Sequence, residues 1–79
     1  MPRVSPLLLK EVERHRVSAV IIREVFDRLG RQRVSEVVLN SAILMFTADF
    51  STVRRDCVDM QLLTRSADGS EYSLVVETG

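Results

Sequence analysis

Apolar residues recur at spacings of four and three near the start of the chain. Leu8, Val12, Ala19, Ile22, Phe26 and Leu29, with His15 among them, fall on one stripe. That period predicts an amphipathic helix over about residues 6–29. Ser5-Pro6 supplies its start, because Ser caps free N–H groups and Pro at the first helical position loses no hydrogen bond. Gly30 follows directly, where a left-handed C-cap is wanted. Leu9, Val20, Ile21 and Val25 make the stripe wider than a coiled-coil seam, so the helix needs a sheet or a partner helix against it. A break near Arg16-Val17-Ser18, with Ser18 capping a second helix, is the alternative.

The last third of the chain alternates. Val58, Met60 and Leu62 are separated by Asp59 and Gln61, and Tyr72, Leu74 and Val76 by Ser73 and Val75. Between the runs, Asp68-Gly69 offers the positive φ angles of a tight turn. A β-hairpin with strands at about 57–65 and 71–77 is expected.

The stretch 34–50 carries both periods. As strands it divides into 34–39 and 42–49, turning at Asn40-Ser41, with Ala42, Leu44, Phe46 and Ala48 on one side. As a helix it is capped by Ser35, with Val38, Ala42, Met45 and Asp49 on one face. The strand reading is preferred. It yields an α+β fold: a long N-terminal helix packed on a small antiparallel meander that ends in the hairpin. The alternative is three helices plus the C-terminal hairpin, a winged-helix-like order. An echo between residues 14–22 and 31–39 would favour the second, if the two copies share a structure.

At 79 residues the chain is expected to form one domain, 1–79, with a core that leaves little margin. Cys57 is the only cysteine and His15 the only histidine, so neither an internal disulfide nor a four-ligand zinc site can supplement it. A partner subunit is the remaining supplement. No apolar run approaches a membrane span, and Lys10, Glu11 and Glu13 close off the Leu7-Leu8-Leu9 triplet before it resembles a signal peptide. A cytoplasmic protein is expected, in keeping with an unpaired cysteine.

Formal net charge is zero, but it is unevenly spread. Residues 1–33 hold eight basic groups against four acids, and residues 34–79 hold three against seven. Such asymmetry favours a charged partner or self-association. Arg14, Arg16, Arg28, Arg31 and Arg33 are the candidate nucleic-acid contacts, giving salt-dependent phosphate binding. Against that, a recognition helix at 35–48 offers only Glu36, Asn40, Ser41 and Thr47 as polar side chains, a poor set for reading bases.

Catalytic constellations are thin. Cys57 with His15 is the one nucleophile–base pair of its kind, and each is more simply a core residue. Asp56 and Asp59, three apart on a strand, point to opposite faces. The three glycines form no phosphate loop, and no metal-ligand spacing exists. Two Arg-Val-Ser triplets precede Ser18 and Ser35, which are read as caps or surface. No catalytic residue, cofactor, metal or small-molecule substrate is expected. The chain reads as a small non-catalytic protein–protein interaction module (adaptor, inhibitor or regulatory subunit), homodimeric, with Val37, Ile43, Met45 and Val75 as interface candidates on the uncovered face of the sheet. The alternative is a small nucleic-acid-binding transcriptional regulator using the region Arg14 to Arg33.

Overall fold

The computed structural model describes residues 6–75. Six elements follow one another: α1 (Pro6–Leu29), β1 (Arg33–Ser35), α2 (Glu36–Leu44), α3 (Phe50–Asp59), β2 (Leu63–Arg65) and β3 (Glu71–Leu74). Three helices pack on a three-stranded antiparallel sheet of order β1-β3-β2, so the fold is α+β with the winged-helix-like order. The four-stranded meander is not formed.

The first helix has the expected bounds. Gly30 closes it at φ +65°, its N–H bonded to the Phe26 carbonyl. Ser5, the expected cap, lies outside the described residues. Ile22, Val25 and Phe26 are buried, whereas Val12 and Val17 on the earlier turns stay exposed. Ser18, not Val17, is the residue of its turn buried against Asp56 of α3, and Val12 lies nearer the start of a helix that outruns its partner. At 1.5 Å per residue α1 is about 36 Å long, while α3, its main partner, is about 15 Å.

Residues 36–44 are helical, which corrects the preferred strand reading. Ser35 caps α2, accepting the Val38 N–H at 3.3 Å, and Glu36 sits at the positive end of the helix dipole. Leu39 and Ile43, four apart, turn into the core. The echo is no repeat: 14–22 lies inside α1, while 31–39 is loop, strand and helix start.

The hairpin is present but shorter than expected. Residues 57–59 belong to α3 and are not strand. That helix ends in a Schellman motif, with Gln61 N–H bonded to Val58 O and Leu62 N–H to Cys57 O, and Gln61 adopts φ +62°. The alternation from Val58 to Leu62 therefore spans a helix end and a turn. β3 ends at Leu74, and Val76 and Glu77 lie outside the described residues. In the turn, Gly69 has φ +75° and lies under the Arg65 guanidinium, which fills the space a side chain would need. Asp68 accepts from Ser66 Oγ, Ser70 Oγ and Ser70 N–H, and these bonds pull its pKa down to about 2, led by the Ser70 backbone.

Val34, Leu63 and Tyr72 face inward and join Ile22, Val25, Phe26, Leu39, Ile43, Val53 and Cys57 in one core. The outer face of the sheet carries Arg33, Ser35, Thr64, Glu71 and Ser73, with Leu62 and Val75 at one corner. The uncovered sheet face is thus largely polar, contrary to the apolar face expected.

Candidate functional site

The exposed apolar surface lies on α2. At about 100° per residue, Val37, Ser41, Leu44, Met45 and Val38 form its outward stripe, opposite Leu39 and Ile43. Val37 is 74 % and Met45, the C-cap, 81 % exposed. Only Ser41 interrupts the stripe with a polar group. The patch continues through Phe46, which shares a cavity of about 330 Å³ with Val17 and Ile21 of α1. The Arg28 guanidinium stands 5.4 Å from the Phe46 ring centroid. Of the four interface candidates, Val37 and Met45 sit on this patch. Val75 is exposed at the corner of the sheet. Ile43 is fully buried and is corrected to a core residue, because it faces inward once 36–44 is a helix.

The position of α2 is fixed by Arg54. Its Nη1 donates to Glu36 Oε1 at 2.7 Å and to Asn40 Oδ1 at 2.6 Å. The guanidinium lies 5.7 Å from the ring centroids of both Phe50 and Tyr72.

A second polar cluster ties α3 to α1. Asp56 is buried, and Arg14 grips it with two bonds, Nε to Oδ2 at 3.0 Å and Nη2 to Oδ1 at 3.1 Å. Ser18 Oγ donates to Oδ2 at 3.0 Å, and His15 Nε2 lies 3.6 Å from Oδ1. The hydrogen bonds and charge of Asp56 hold the Arg14 pKa above its ordinary value. Ser18 is therefore a buried partner of a carboxylate, not a cap or a surface residue. Cys57 Sγ donates to the Ser18 carbonyl at 3.4 Å, and burial, aided by the Asp56 charge, pushes its pKa up to about 12. A thiol held protonated at neutral pH is a poor nucleophile. Among the described residues, no group of three or more His, Cys, Asp or Glu is placed to hold a metal ion. Nor is any helix among them long and apolar enough to cross a membrane.

The five arginines proposed for nucleic acid do not form one patch: Arg31 and Arg33 line one cavity beside β1, whereas Arg14 and Arg16 lie several turns back along α1. Arg14 is engaged with Asp56 and Arg28 with Glu24. Arg14 and Arg28 stand on α1 roughly 20 Å apart along its axis. Arg33 lies 3.6 Å from Glu71, while Arg16 and Arg31 are exposed. None lies on α3 or the C-terminal hairpin. In a winged-helix reading of the order found here, α3 and not 35–48 would be the recognition helix. In number, the basic residues Arg54 and Arg55 of α3 equal its acids Asp56 and Asp59, and the hairpin carries Arg65 with Asp68 and Glu71.

The fold and the apolar helix face define a small α+β domain of winged-helix-like order. The family model described as "Uncharacterized protein conserved in bacteria (DUF2087)" matches residues 9–74, and the chain belongs to that family. No curated protein and no solved structure matches it.

Proposed function

We propose that this chain is a small non-catalytic protein-interaction module of the cytoplasm that docks through the outer face of α2, with a second copy of itself as the first partner. One observation carries the reading: α2 is apolar on both faces, although only one of them meets the core. A helix apolar all round is normally covered on all sides. Contiguous apolar surface on so small a domain marks an interface, and two-fold pairing is the commonest way to cover one. Ser41 at the centre of the stripe is small enough to let two such helices approach closely.

A second reading, nucleic-acid binding, is favoured by the order of elements alone. Fold does not carry function by itself, and the charges on α3 and the hairpin cancel or turn acidic.

The test is sedimentation equilibrium on the wild type and on Val37→Glu and Met45→Glu, with duplex DNA binding measured in parallel at low and high salt. The expected result is a wild-type dimer that each substitution weakens by at least about tenfold, since a charge is forced into an apolar contact. A wild type that stays monomeric would refute self-pairing. A lysate capture by wild type and Met45→Glu then decides the face, and identical captures would refute it. Salt-sensitive duplex binding lost in Arg55→Glu or Arg31→Glu would establish the second reading instead.

A further inference from the structure

We propose that the groove beside the free edge of β2 binds an extended acidic segment of a partner protein, which joins the sheet as a fourth strand. This site is separate from α2 and does not depend on the reading above. The sheet order leaves β2 at an edge. Val75 N–H bonds Leu62 O, and Ser66 N–H bonds Glu71 O, both at 2.9 Å, so the even-numbered residues of β2 turn towards β3. Leu63 and Arg65 therefore direct their N–H and C=O groups outward. A groove of about 950 Å³ runs beside this edge. Val58, Met60, Leu62 and Val75 give it apolar walls, and Arg23 and Arg65 are its charged groups.

The charges select the occupant. Among the described residues no acidic side chain lines the groove, and neither Arg23 nor Arg65 has an ion-pair partner. The cavity beside β1, the opposite edge, differs, because Glu71 lines it and stands 3.6 Å from Arg33. A second copy of the chain across the β2 edge would bring two Arg23–Arg65 pairs together, which like charges oppose. A partner strand with carboxylates on one face and apolar side chains on the other satisfies the edge, the walls and the arginines at once. Main-chain bonds then give affinity and the groove gives selectivity. An edge of three residues bearing an arginine is short enough to resist open-ended pairing with other sheets.

The probe is an acetylated heptapeptide of alternating glutamate and valine, titrated into the 15N-labelled chain and followed by amide shifts and hydrogen exchange. Expected are shifts and slowed exchange at the Leu63 and Arg65 amides. Arg23→Glu/Arg65→Glu should weaken the peptide at least tenfold while leaving the circular dichroism spectrum unchanged. The same double variant should prefer a second heptapeptide in which lysine replaces each glutamate. Val37→Glu, which disables the α2 face, should bind the acidic peptide as the wild type does. Absence of binding at millimolar peptide, equal affinity for the charge-reversed variant, or shifts confined to other elements would each overturn the proposal. So would slowed exchange at the Leu63 and Arg65 amides on raising protein concentration without peptide, which would make a second copy the occupant.

Discussion

Arg54 on α3 donates through one nitrogen to Glu36 at the first turn of α2 and to Asn40 one turn later, at 2.7 and 2.6 Å. The two helices are thereby tied together at successive turns of α2, on the side away from its outer face. Among the described residues Arg54 Nε is buried without a partner, so the head group is held by Nη1 and by the Phe50 and Tyr72 rings. Arg54→Lys should cost about 1–2 kcal/mol, because an ammonium cannot lie flat between the rings while bonding both acceptors. Urea unfolding would measure this, and a double-mutant cycle with Glu36→Gln should return a coupling energy above zero.

Asp56 is the buried carboxylate on which Arg14 and Ser18 converge, 42 and 38 positions away in the chain. Asp56→Ala leaves the Ser18 hydroxyl buried with no acceptor and is expected to destabilise the chain by about 2–3 kcal/mol. Ser18→Ala removes donor and need together and should cost roughly 1 kcal/mol. A larger loss for Ser18→Ala than for Asp56→Ala would show that the cluster is not organised around the carboxylate.

Cys57 is expected to react very slowly with a thiol reagent in the native chain at pH 8, and at the rate of a free thiol in urea. Its native pKa lies near 12 against an ordinary 9.0, so the protonated form is favoured by folding. The stability this gives is complete below pH 9, declines as the unfolded thiol ionises, and is gone by about pH 12. Cys57→Ala should therefore show a flatter stability curve over that interval, whatever it loses at neutral pH from the smaller side chain.

Gln61 occupies the left-handed position of the Schellman motif at the end of α3, where a side chain is unfavourable. Gln61→Gly should raise stability by about 0.5–1 kcal/mol. Unchanged or lower stability would mean that the Gln61 side chain makes compensating contacts.

The helix from Pro6 to Leu29, the cap at Ser35 and the turn at Asp68-Gly69 were legible because each is a local signal. α2 was not, because Val37, Val38, Leu44 and Met45 make its outer face as apolar as its inner one and erase the helical period. α3 was hidden by the opposite inversion. Its inward positions include Asp56 as well as Val53 and Cys57, and the arginine that makes a buried aspartate tolerable comes from another helix. Val58, Met60 and Leu62 mimic a strand because a helix end followed by a left-handed residue can place apolar side chains two apart. The interface candidates follow the same rule. Val37 and Met45 are outward under either reading, whereas Ile43 is outward only if the segment is a strand. Arg23 and Arg65 beside the β2 edge were beyond reach, since their proximity depends on how α1 crosses the hairpin.

The two-sided character of α2 also has a thermodynamic side. The residues that anchor it inward, Leu39 and Ile43, belong to a small core of ten buried apolar side chains among the described residues. A protein that covers the outward stripe, as proposed above, would bind the native state and not the unfolded chain, and so act as a folding ligand. Melting temperature should then climb with protein concentration or with added partner. In the cell, the steady-state amount of this chain would track the supply of whatever covers α2, with unaccompanied copies spending more time open to proteases.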